Sequence, residues 1–160
     1  MNPDSSTTIL SDREFTIEHR IHAPAAKVFA AYTDPRLIPR WWANPGATMT
    51  IDKLDVRPGG RWRFVQHLAD GQRMAFSGEF VEVKPVTRLA YTFQVEGQPH
   101  SQVTATVDLV ERHGITHITL TNLCLSKEVR DGMLQYGAAA GAKASWKRLE
   151  EVVNAEGDDE

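Results

Sequence analysis

Side chains capable of acid–base, nucleophilic or metal chemistry are present in this chain but are not grouped. The six histidines are His19, His22, His67, His100, His113 and His117. His19 and His22 fall on opposite faces of one alternating run, His67 and His117 on the outward faces of theirs, and His100 and His113 in loops. None stands at a helical metal-binding spacing from another histidine, a cysteine or a carboxylate, so no metal and no cofactor is expected. The lone Cys124 excludes an internal disulfide and reads as a small buried hydrophobe at a strand end. No G-x-S-x-G nucleophile turn occurs. Gly59-Gly60 lacks the Gly-Lys-Ser/Thr ending of a phosphate loop and precedes a strand, which makes it a tight turn. Glu79 and Glu82 read as solvated. No catalytic residue is assigned, and whether the chain is an enzyme is left open.

The spacing does supply inward-facing aromatics with a few polar partners, the composition of a pocket for an apolar or aromatic molecule. Trp62, Phe64 and Gln66 share one face of a strand; Met74, Phe76, Gly78 and Phe80 share a face of the next. Tyr91 and Phe93 project together from a third, and Asn122 interrupts an apolar face of a later one. Each has a plainer reading. Trp62 and Phe64 can be core, as aromatics often are. The Tyr91 hydroxyl needs a partner when buried, and a backbone carbonyl serves as well as a ligand. Asn122 needs helix, water or ligand, because a buried polar group without a partner costs roughly 1–3 kcal/mol. Of Trp41 and Trp42, one is expected in the core and the other at the cavity mouth. Met133 and Tyr136 face either the cavity or a dimer partner.

These side chains require a curved sheet to hold them. Phe15 to Ile21 alternates as a first strand. Pro24 opens a short helix to Tyr32, and a second short helix runs from Pro35 to Trp41. Six further strands are expected at 49–54, 60–68, 73–83, 88–95, 102–110 and 115–123, with Asp70-Gly71 as a hairpin turn. One long helix, about Lys127 to Val153, closes the chain, with Ser126 as N-cap and Glu128 in its first turn. The stripe Leu134, Ala138, Ala142, Ser145, Leu149 and Val152 is its apolar face. Twisted antiparallel strands curl, the long helix fills the concave side, and the cavity is expected between helix and sheet with the short helices at its mouth. Residues 1–12 read as a disordered tail, 13–154 as one domain and 155–160 as an acidic tail.

Composition narrows the partners. At 160 residues, 41% hydrophobic, the chain can build one real core. A net charge of -3 without a basic cluster argues against nucleic acid. No apolar run approaches the roughly 20 residues of a membrane span, and the polar start lacks a signal pattern. A cytoplasmic monomer or homodimer is expected, with a hydrophobic small molecule as its partner.

Several blocks together carry a family resemblance: APAAKVFAAYTDPRLIPRWW, DVRPGGRWRF, GEFVEVKPVTRLAYTF, and VTATVDL followed by THITLTNL. From about Glu14 to Val153 the chain resembles the SRPBCC (START-like, helix-grip) superfamily. Within it, the chain is similar to the branch homologous to the C-terminal domain of the activator of the heat-shock-protein ATPase. The resemblance implies an α+β helix-grip fold of about seven antiparallel strands around a long C-terminal helix, with a hydrophobic cavity. It implies no single reaction, since relatives include carriers, cyclases, ring-hydroxylase subunits and co-chaperone domains. Two departures stand out. The extra N-terminal domain of the eukaryotic co-chaperone has no counterpart here, and Asn122 takes a position where relatives often have histidine. Three functions follow as expectations: a small-molecule binding protein, a cyclase or hydrolase using the same cavity, and a co-chaperone-like interaction module.

Overall fold

A computed structural model describes residues 5–158. Eight strands form one antiparallel sheet in the order β1-β2-β8-β7-β6-β5-β4-β3. They are β1 Ser5–Ile9, β2 Glu14–Ile21, β3 Thr48–Leu54, β4 Arg61–His67, β5 Arg73–Lys84, β6 Arg88–Val95, β7 Val103–Arg112 and β8 Ile115–Cys124. The helix-grip architecture is as expected, with one strand more. Ser5–Ile9 pairs with β2 from Ser5↔His19 to Ile9↔Phe15, so within the segment 1–12 read as a tail, Ser5–Ile9 is a sheet edge. The pairing comes from the free edge of β2, which polar Ser and Thr can occupy without burying a face. Residues 1–4 lie outside the described residues.

Alternation explains the inner surface. β7 and β8 alternate buried and half-buried positions, Val103, Ala105, Val107 and Leu109 opposing Cys124, Asn122, Leu120 and Ile118. The turn before β4 is as tight as its sequence implies. Gly59 has φ +83°, and a Cβ on Gly60 would meet the Asp55 carbonyl oxygen at 2.0 Å, so only glycine fits. The turn is pinned to β5, with Gly59 donating to the Phe80 carbonyl and Phe80 to the Gly60 carbonyl, both 2.8 Å. The β5–β6 ladder holds Ser77↔Gln94 and Phe80↔Tyr91 with no bridged pair between them.

Two short helices follow β2: α1 Ala25–Thr33 and α2 Ile38–Trp42. The second begins three residues later than expected, because the Asp34 carboxylate accepts from the Arg36 backbone N–H and holds a turn there. At the C-terminus the single long helix is in fact two, α3 Lys127–Gln135 and α4 Ala138–Asp158. Gly137, at φ +88°, separates them. The Tyr136 and Gly137 N–H groups close α3 onto the Gly132 and Leu134 carbonyls, the way a helix ends on a left-handed glycine. Ser126 caps α3 as anticipated, its hydroxyl accepting from the Val129 N–H at 3.2 Å. The segment 155–158 continues α4 rather than forming a tail.

The interior divides in two. α4 places Trp146, Leu149, Val152 and Val153 in one core with residues of β2, β7, β8 and α1, mostly aliphatic but including Phe15 and Trp41. Beneath α2, at the β4–β6 end, Trp62, Phe64, Phe76 and Phe80 form a second, aromatic cluster with Ile38 and Leu89. No helix of the described residues is long and apolar enough to cross a membrane.

Candidate functional site

The aromatic cluster surrounds a void of about 20 Å³. A cavity needs roughly 10–15 Å³ to hold one water, so this one admits a single water and nothing larger as it stands. It lies under the short helices rather than under α4. Tyr32 of α1 and Trp41 and Trp42 of α2 form one side; Trp62 and Phe64 of β4, Phe80 of β5 and Tyr91 of β6 form the other. The site belongs there because α4 leans toward β2, α1 and α2, leaving the β4–β6 half of the sheet to be filled by rings.

Trp62, Phe64, Phe76 and Gln66 are inward and buried, as alternation implies. Gln66 uses its amide oxygen to accept the Asn44 backbone N–H at 3.0 Å. That bond ties the loop after α2 to β4 and occupies the Gln66 amide oxygen. Trp41 is buried and donates its indole N–H to the Ala31 carbonyl at 2.8 Å. Trp42 is half-buried in the centre of the cluster. Its ring centroid lies 5.0 Å from Phe76, 5.4 Å from Phe64, 6.2 Å from Phe93 and 6.4 Å from Trp62. Met74 is half-buried at the edge of the same cluster.

Three of the four tryptophans are anchored through nitrogen. Besides Trp41, Trp62 donates to the Thr92 carbonyl at 3.2 Å and Trp146 to the Tyr32 hydroxyl at 2.9 Å. Among the described residues Trp42 donates to none. It is held by ring contacts, on a helix of five residues.

Tyr91, Ala105, Asn122 and Phe15 are successive partners across β6, β7, β8 and β2, so they form one row on the concave face. Asn122 is buried. Ala105 separates it from Tyr91, and no hydrogen bond joins the two. Burial pushes the Tyr91 hydroxyl up to about 12. Burial also raises Tyr32, reinforced by the nearby Tyr91 and opposed by the hydrogen bond from Trp146. Both phenols stay neutral, and the void is lined by no carboxylate, histidine, lysine or arginine.

Gln66, Met74, Phe76, Phe93 and Asn122 do not line the void itself, and neither do the two candidates Met133 and Tyr136. Tyr136 is 87% exposed, because the chain leaves α3 there and the left-handed Gly137 turns it outward. Met133 packs under α3, its sulfur 3.6 Å from the Cys124 thiol, in the mostly aliphatic core. Conversely, Tyr32, Ile38, Phe80 and Leu89 line the void without being among the candidate residues that the sequence singles out. Phe80 shares the face of Met74 and Phe76 and was recoverable; the Tyr32–Trp146 bond joins residues 114 apart and leaves no local signal. A second groove, of about 470 Å³, is lined by charged residues of which Arg63 pairs with Glu96 at 2.9 Å and with Asp52 at 3.4 Å.

A family model described as Activator of Hsp90 ATPase homolog 1-like protein matches residues 22–154. Solved structures share the fold at low identity. Protein Ms6760 from Mycobacterium smegmatis is 23% identical, with 92% of this chain and 94% of that one covered and a TM-score of 0.79. A protein from Rhodobacter sphaeroides is 20% identical over 94% and 98%, with a TM-score of 0.85. Protein NE0264 from Nitrosomonas europaea is 22% identical over 94% and 99%, at 0.81. No curated protein matches the chain.

Proposed function

The chain belongs to the Activator of Hsp90 ATPase homolog 1-like family, of the SRPBCC type, and from that premise we propose that it is a small-molecule binding protein whose aromatic chamber takes an apolar or aromatic ligand in the place of Trp42. The observation that carries this reading is Trp42 itself. It fills the chamber, yet it lacks the nitrogen anchor that holds the other three tryptophans. Ring contacts of this kind are worth about 0.5–1.5 kcal/mol each beyond burial, and a flat ligand making the same contacts replaces them. The displaced indole then leaves a slot the size of a fused two-ring system. Neutral walls favour a binding role over acid–base catalysis, because the chamber offers no group that changes charge near neutral pH.

The test is a panel of one-, two- and three-ring aromatic compounds, read by thermal shift and by tryptophan emission. Two-ring compounds are expected to bind, and Trp42→Ala to bind them more tightly, since the plug no longer competes. A panel that neither shifts the wild-type protein nor Trp42→Ala removes the proposal.

A further inference from the structure

Two tyrosines, Tyr32 and Tyr91, line the void, and Tyr91 is near enough to act electrostatically on the Tyr32 hydroxyl. An indole N–H only donates, and a phenol has one proton to give and lone pairs to accept with. Trp146 donates to the Tyr32 oxygen at 2.9 Å, so that bond uses a Tyr32 lone pair and leaves its proton unspent. Tyr32 donates to no described residue, and Tyr91 makes no side-chain hydrogen bond to any. Both side chains line the same void, one from α1 and the other from β6. Two O–H groups thus belong to the lining of a space that holds one small atom group, with no cation to balance an anion and no side chain that accepts without also donating.

Resting on the binding role proposed above, we infer that the chamber selects neutral ring compounds carrying one acceptor oxygen of the carbonyl type, seated so that Tyr32 and Tyr91 both donate to it. A carbonyl oxygen has two lone pairs and accepts two such bonds; a hydrocarbon of the same shape leaves both protons buried without a partner, which is the costly outcome. A carboxylate is rejected because its charge would enter an apolar chamber unpaired. Desolvation keeps both phenols protonated well above neutral pH, so the donor pair persists across the physiological range.

The experiment compares three probes of one skeleton on the full chain: indan-1-one, indane and indane-1-carboxylate. Indan-1-one is expected to bind about tenfold or more tightly than indane, the effect of two modest hydrogen bonds, and the carboxylate weakest of the three. In Tyr91→Phe the ratio of indanone to indane affinity falls toward one while indane binding is retained. The infrared carbonyl band of bound indanone should move to lower frequency in the wild type and move back in Tyr91→Phe. Tyr32→Phe is the companion variant; because it also strips Trp146 of its acceptor, the infrared band and Tyr91→Phe decide if it fails to fold. Equal binding of indanone and indane, or tighter binding of the carboxylate, overturns the inference and leaves the binding role standing. Failure of all three probes, in the wild type and in Trp42→Ala alike, overturns both.

Discussion

Trp62 donates its indole N–H to the carbonyl oxygen of Thr92, 3.2 Å away, across the unbridged step of the β5–β6 ladder. An inward-facing side chain thereby completes a backbone bond that the neighbouring strand leaves open. Gly78 makes the contact possible: a Cβ there would lie 1.8 Å from the Thr92 oxygen and 2.8 Å from the Trp62 nitrogen. The aromatic chamber is built around this junction, with Trp62 also 4.8 Å from Phe64 and 6.0 Å from Tyr91.

Gly78→Ala should therefore cost about 1–3 kcal/mol, the usual penalty for forcing atoms into a packed interior. The obstructing atom is backbone, so the strands must part. Urea unfolding measures the loss; a midpoint unchanged from the wild type contradicts the close approach.

The adjacent tryptophans should separate in stability. Trp41→Ala removes a buried ring and its hydrogen bond and should cost about 3–5 kcal/mol. Trp42→Ala removes a half-buried ring without such a bond and should cost about 1–2 kcal/mol. The comparison is made by chemical denaturation of both variants, and equal losses would contradict the difference in anchoring.

Alkaline pH probes the two phenols. Their folded-state values are raised, so the unfolded chain gives up these protons first. The stability they confer is complete below the ordinary tyrosine value of about 10 and drains away as pH rises from there through about 12, the value for Tyr91. Unfolding curves should be flat with respect to these groups at neutral pH and fall steeply in that window. Tyr91→Phe should soften the fall, and an undiminished slope would show that Tyr91 is not the group concerned.

Gly137→Ala places a Cβ at φ +88°, a region that costs an L residue about 1–2 kcal/mol. Nothing crowds the site, so conformational strain is the only penalty. Thermal unfolding should report that loss, and Gly137→Asn, which tolerates the left-handed region better, should recover part of it.

Much of this arrangement is legible from period-two alternation. The inward set of Trp62, Phe64 and Gln66 and the capping role of Ser126 follow from local spacing, because each is decided within a few residues. The edge strand is not legible: SSTTI has no apolar face, and its structure comes from β2. Nor is the break at Gly137, where a run of alanines favours continuity and one glycine decides otherwise. The position of the void depends on how α4 leans, which is set by contacts such as Trp146 with Tyr32, far apart in sequence. Periodicity assigns a side chain to a face; it does not say which of two clusters on that face the chain will close over.

β1 hems the sheet. Its residues occupy the hydrogen-bonding edge of β2, and Ser6, Thr7 and Thr8 have exposed side chains. A protein shortened to begin at Leu10 would bare the β2 backbone from Phe15 to His19, a template for strand addition by other copies. Such a fragment should polymerise at concentrations where the full chain stays dispersed, which light scattering would register before any change in the chamber.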